Sequence, residues 1–163
     1  MEQLPPTHRV LDAGCGNGFL TARLRDLGLR VDGVDFSAAA VASARARLGA
    51  GPGLSVSRLD EFRPGHRYHA VVCVDVLFHV VDDDLWRRTV ENLGRLATGE
   101  LLVQDHLVGE AEAGQSRQGA VHCRWRTLQM YREALPGWTL AAHEVYRLPF
   151  EKVTKDLLRF VPR

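Results

Sequence analysis

Cysteine is scarce in this sequence. Three stand in 163 residues, Cys15, Cys73 and Cys123, and no two of them are close along the chain. An odd number of widely spaced thiols argues against a disulfide framework or a zinc knuckle and suits a reducing, cytoplasmic setting. Lysine is rarer still: Lys152 and Lys155 are the whole complement, and every other strong cation is arginine, which reads as a compositional bias. Charge of one sign is also lacking. A net charge of +1 gives no basis for a nucleic-acid groove or a membrane surface, so a small molecule is the expected partner. No apolar run is long enough to cross a bilayer, and the opening MEQLPPTHRV has no apolar signal core. Repeats and low-complexity tracts are absent.

What is present is an ordinary globular balance, 45% hydrophobic and 25% charged, at a length that suits one domain over residues 1–163. Short apolar runs alternate with amphipathic stretches. Strands are expected at 9–13, 30–34, 54–57, 69–76 and 100–104. Leu20, Leu24 and Leu27 form one helical stripe, with Asn17 as cap and Gly28 as stop. Ser37 caps a helix over 38–48. Asp82, Asp83 and Asp84 open a helix to about residue 97, which Thr98-Gly99 ends. Residues 109–120 are a polar loop, a helix runs from 126 to 135, and 138–147 and 155–161 pair antiparallel at an edge. Alternation of this kind predicts an α/β fold with a doubly wound, mainly parallel sheet.

The informative stretch is Val10-Leu11-Asp12-Ala13-Gly14-Cys15-Gly16-Asn17-Gly18, where the first strand meets a helix. Glycines there let the backbone turn tightly and approach a ligand. A tight strand–helix connection would need no more than that. The spacing is G-x-G-x-G, and Phe19 breaks the dinucleotide fingerprint G-x-G-x-x-G, which disfavours a nicotinamide oxidoreductase. Asp35 ends the second strand, where a carboxylate can accept from two ribose hydroxyls; a capping or solvated aspartate is the plainer reading.

These residues resemble the class I S-adenosylmethionine-dependent methyltransferases. VLDAGCGNG is similar to their first motif, VDGVDFS to the end of their second strand, HAVVCVDVLFHVVDD to the fourth strand and its turn, and GELLVQD to the fifth. RWRTLQMYREALPGW resembles the helix and turn before the sixth. The resemblance covers residues 9–147. It implies a Rossmann-like sheet in the order 3-2-1-4-5 plus an edge hairpin, S-adenosyl-L-methionine as cofactor, and methyl transfer to oxygen, nitrogen or carbon of a small molecule. By position, Gly14 and Gly16 approach the methionine part, Asp12 lies beneath the loop, Asp35 holds the ribose, and Phe36 packs on adenine. Leu59 and Asp60 meet the adenine edge, with Arg58 as the alternative register, and Val74 belongs to the same cofactor set. Few residues precede the first strand, so the helices that members commonly carry over the cofactor are expected to be lacking. An open cleft, one that a second copy or partner covers, or a truncated or misannotated form of the chain follows from that. A non-catalytic cofactor-binding module of the same fold is the rival reading.

The place after the fourth strand reads Asp75-Val76-Leu77-Phe78, without the paired prolines of base-amine methyltransferases. Cys73 lies inside a strand and reads as core. His79 is a packing or a catalytic residue. His122, Arg124 and Arg126 around Trp125 form either a polar substrate rim or a solvated face. Asp75, Asp105 and His106 stand at carboxyl ends of strands, where ligands of open α/β sheets sit, so all three are expected at the cleft. His106 is the candidate general base, with Asp105 beside it, because an imidazole exchanges protons near neutral pH. Asp75 and Asp105 with the residue after it also resemble the metal ligands of cation-dependent catechol-type O-methyltransferases, but a histidine replaces their asparagine. Hard cations prefer oxygen, so no metal is expected.

Overall fold

The computed structural model describes residues 8–49, 53–109, 111, 122–147, 149 and 154–163. Its strands are β1 (Arg9–Ala13), β2 (Arg30–Asp35), β3 (Leu54–Val56), β4 (Tyr68–Val74), β5 (Ala97–Asp105), β6 (Trp138–Tyr146) and β7 (Lys155–Pro162). Its helices are α1 (Phe19–Asp26), α2 (Ala38–Leu48), α3 (Asp83–Leu96) and α4 (Leu128–Ala134). One sheet runs β3-β2-β1-β4-β5-β7-β6. The first five strands in that order are parallel, and β7 is antiparallel to both β5 and β6. The expected order and edge hairpin are therefore present. The strand order reverses between β1 and β4, and that switch point places the cleft at their carboxyl ends.

Each helix lies where its stripe dictates. In α3, Asp82 caps the start by accepting from the Leu85 amide at 2.7 Å, and Trp86, Val90 and Leu93 recur at helical spacing. They join Leu101, Tyr131 and Phe160 in the main core. Each such apolar side chain contributes about 1.5–3 kcal/mol on burial. On the α1/α2 side, Val41, Ala44 and Leu54 make a smaller cluster, and Val10, Val31 and Ala70 a third.

Several boundaries differ from the sequence reading. Gly18, not Asn17, is the N-cap of α1; its φ of 78° is left-handed, and the Asn17 side chain accepts instead from the Phe19 amide at 3.2 Å. Leu27 lies past the helix end and is 74% exposed, so the buried residue of α1 is Thr21. Thr98-Gly99 does not stop α3 in a turn. The chain passes straight from Leu96 into β5, and Gly99 is required for space: a Cβ there would lie 2.8 Å from the His69 ring and 3.0 Å from its carbonyl oxygen. The fourth strand ends earlier, at Val74, before a 3-10 turn over Leu77–His79. The expected lack of N-terminal cap helices, and most of the expected 109–120 loop, fall on residues outside the described ones. Among the described residues no helix is long and apolar enough to cross a membrane.

Candidate functional site

The glycine loop follows β1 directly. Gly14 has φ 82°, and a Cβ there would lie 2.4 Å from Val76 Cγ2, so only glycine fits between β1 and the turn after β4. The Gly14 and Cys15 amides both donate to the Val34 carbonyl, which ties the loop to β2. Gly16 has φ 51° and open space where a Cβ would stand. Its amide donates to Asp35 Oδ2 at 2.9 Å, and the Ser37 amide donates to Asp35 Oδ1 at 2.9 Å. Each carboxylate oxygen offers two acceptor positions, so Asp35 keeps one free on each. That remaining pair matches the two hydroxyls of a ribose. Phe36, next in the chain, is 77% exposed and offers a bare ring beside it. An adenosyl group fits this set of acceptors, space and ring.

Asp12 lies beneath the loop, 2% exposed, and accepts from the Thr21 hydroxyl at 2.6 Å. That bond ties β1 to α1. No helix lies between β3 and β4 among the described residues, and the intervening turn is pinned to α3 by Asn92. The Asn92 amide group donates to the Leu59 and Phe62 carbonyls at 2.6 and 3.2 Å, and its oxygen accepts from Arg63. Leu59 is half-buried against the main core. Asp60 accepts from Arg58 at 3.1 and 3.2 Å, with Arg88 3.9 Å away, and the Arg58 hydrogen bonds hold its carboxyl below the usual range. Val74 ends β4 half-buried, paired with Gln104 in β5.

Of the three strand-end groups expected at the cleft, the structure separates two. Asp105 is corrected: it is fully buried, bonded by the Tyr131 hydroxyl and, at 2.8 Å, by the His106 amide. It therefore fixes the backbone of His106 and cannot touch a ligand. His106 is half-buried. Its Nδ1 lies 2.7 Å from the Thr154 carbonyl, its ring meets Phe78 edge-on at 4.9 Å, and Trp125 stands 6.0 Å away. A carbonyl only accepts, so Nδ1 carries the proton and Nε2 of the neutral ring keeps its lone pair. Asp75 faces Lys155, treated below. His79 also packs against Phe78, 4.2 Å between centroids, with Nδ1 3.4 Å from the His122 carbonyl. The two arginines of the expected rim are engaged within the chain: Arg124 and the fully buried Arg126 both pair with Asp83, and Arg126 also donates to the Val80 carbonyl.

Burial raises Asp12 and Asp105 from the ordinary 3.8 to about 6 each. Between these values the folded chain keeps a proton that the unfolded chain has released. The stability tied to each group is thus present below about pH 4 and lost as the pH rises through 6. The cost at neutral pH is about 3 kcal/mol per group. Asp105→Asn abolishes one such titration. Urea unfolding should show the variant gaining on the parent by about that amount between pH 4 and 7. A difference that stays flat over that range would remove Asp105 as a costly buried charge.

Sequence reasoning missed Asn92, Tyr131, Lys155 and Asp156. Asp156, 5% exposed, accepts from the Leu107 amide at 2.9 Å and so pins the residue after His106. A cavity lined by Arg9, Arg25, Arg30 and His66 opens at the other end of the sheet, where β1 and β2 begin, away from this chemistry.

Residues 10–98 match the family described as "Methyltransferase domain". Over 78 residues the chain is 36% identical to a ubiquinone biosynthesis O-methyltransferase of Bradyrhizobium sp. (strain ORS 278), covering 45% of this chain and 30% of that protein. A protein of the same description from Thiobacillus denitrificans is 32% identical over 79 residues, covering 45% and 34%. The chain thus matches about a third of the length of these curated relatives. The crystal structure of magnesium protoporphyrin IX methyltransferase from Synechocystis PCC 6803, with bound S-adenosylmethionine, superposes with a TM-score of 0.75 at 24% identity, over 96% of this chain and 70% of that one. An S-adenosylmethionine-dependent methyltransferase from Methanosarcina mazei gives 0.77 at 16% identity, over 98% and 94%. With a family match over more than half of its residues, on the fold that these structures share, the chain belongs to the class I S-adenosylmethionine-dependent methyltransferases.

Proposed function

We propose that this chain methylates a hydroxyl oxygen of a small aromatic acceptor. The observation that carries the reading is His106, whose Nδ1 is held by a carbonyl and whose ring lies beside Phe78 and Trp125. A planar acceptor stacks on such rings, and the lone pair of Nε2 takes its hydroxyl proton. The name of the curated relatives, O-methyltransferases of ubiquinone biosynthesis, favours the same acceptor type. S-adenosylmethionine, when bound, supplies an electrophilic methyl group. Asp35 holds its ribose through the two spare acceptor positions, Gly14 and Gly16 let the backbone approach its methionine part, and Phe36 packs on its adenine. Leu59, Asp60 and Val74 complete that wall, with Asp12 as the support below. A second copy or partner covering the cleft belongs to the same reading.

The test is methyl transfer from radiolabelled cofactor onto a panel of catechols and hydroxybenzoates, with aliphatic amines and bulk RNA and DNA alongside. Phenolic acceptors should be labelled and nucleic acid should stay blank, while light scattering on the active protein gives a mass above 18.2 kDa. Labelled RNA with unlabelled phenols would sink the acceptor class. Cofactor binding without turnover on any acceptor would favour the non-catalytic module.

A further inference from the structure

Lys155 opens β7 and is 8% exposed. Its ammonium lies 3.1 and 3.0 Å from the two oxygens of Asp75, 80 residues earlier in the chain. The Gln104 amide donates to Asp75 Oδ1 at 2.5 Å, and the orientation of that amide is set by the Tyr146 hydroxyl, which donates to its oxygen at 2.7 Å. Three strands therefore converge on one carboxylate: β5 through Gln104, β6 through Tyr146 and β7 through Lys155.

Asp75 itself is strained. Its φ is 57°, the one positive φ outside glycine among the described residues. An L-residue is held there only when its surroundings over-determine the turn, and aspartate tolerates it better than most. The next residue, Val76, is the one whose methyl occupies the space beside Gly14. The direction of the Asp75 turn thus decides where Val76 sits, and Val76 is the wall against which the glycine loop is built.

We propose that Lys155 is a positioning residue for the cofactor loop: its ammonium holds Asp75 in the left-handed turn that seats Val76 against Gly14. The proposal rests on the reading of Gly14, Gly16 and Asp35 as the cofactor cradle. Without the ammonium, the half-exposed Asp75 carboxylate is solvated by water, the turn relaxes toward extended backbone, and the loop loses its wall. A glycine at position 75 reaches the same φ without strain and needs no clamp.

The experiment is calorimetric titration of the full chain with S-adenosylhomocysteine, with the unliganded melting temperature recorded for each variant. Lys155→Met should bind about tenfold more weakly or worse. The double variant Asp75→Gly/Lys155→Met removes both charges and the strain, and should return to within about threefold of the parent. A lysine that only stabilises the fold would not be rescued by a glycine. Unchanged affinity in Lys155→Met, or a double variant as weak as the single one, overturns the proposal. If Lys155→Met does not fold, a folded, binding double variant supports the clamp, and an unfolded or non-binding one refutes it. A parent chain that binds no S-adenosylhomocysteine would instead refute the cradle.

Discussion

Asp35→Ala is expected to weaken S-adenosylhomocysteine binding by at least tenfold, read by calorimetric titration. On the proposed reading the carboxylate accepts two ligand hydrogen bonds, and each charge-assisted bond is worth about 1.5–3 kcal/mol. The full sum would exceed a hundredfold, but part of it is returned when water solvates the released hydroxyls. A second loss runs through the protein. The Gly16 and Ser37 amides both donate to this side chain, so alanine also unties the loop from the start of α2. Asp35→Asn separates the two effects. Its one oxygen can satisfy one of those amides, while its NH2 group faces the other donor, so its affinity should fall between parent and alanine. Equal affinity in all three proteins would reduce Asp35 to a turn anchor.

The half of the site built by local sequence was legible. Gly14, Gly16 and Asp35 lie within one strand–helix–strand unit, where spacing along the chain translates directly into spacing across β1 and β2. The register Ala13↔Val34 brings the loop beside Asp35 with no freedom left to decide. The same holds for α2, which Ser37 caps through the Ala40 amide as its position suggested.

What could not be read depends on contacts between distant segments. Asp105 looked like a cleft residue because it ends β5. Alternation along that strand puts Asp105 on the same face as the buried Leu101 and Val103, and the Tyr131 hydroxyl, 26 residues on, meets its carboxylate in the core. Asn92 sits on α3, and its side chain fastens the Leu59–Phe62 turn some thirty residues earlier in the chain. Lys155 did leave a trace. In a chain whose cations are almost all arginine, one of the two lysines is the residue that meets both oxygens of Asp75.

His106→Gln should cut turnover on an accepted phenol about 10²-fold or more while affinity for S-adenosylhomocysteine holds. Glutamine has enough bulk to rest on Phe78, and the backbone pinned by Asp105 and Asp156 stays in place. What it loses is the basic nitrogen. The loss should therefore fall on kcat, and it should shrink as the assay pH rises and more of the phenol is ionised before it binds. EDTA should leave the rate unchanged, for a reason in the side chains themselves. The Lys155 ammonium lies against both oxygens of Asp75, and Asp105 is turned away to Tyr131, so the two carboxylates do not converge on a common cation. Activity lost in EDTA and restored by Mg²⁺ would overturn that arrangement. A His106→Gln protein with parental turnover at neutral pH would show that the proton leaves by another route, with His79, which also packs against Phe78, the next residue to replace.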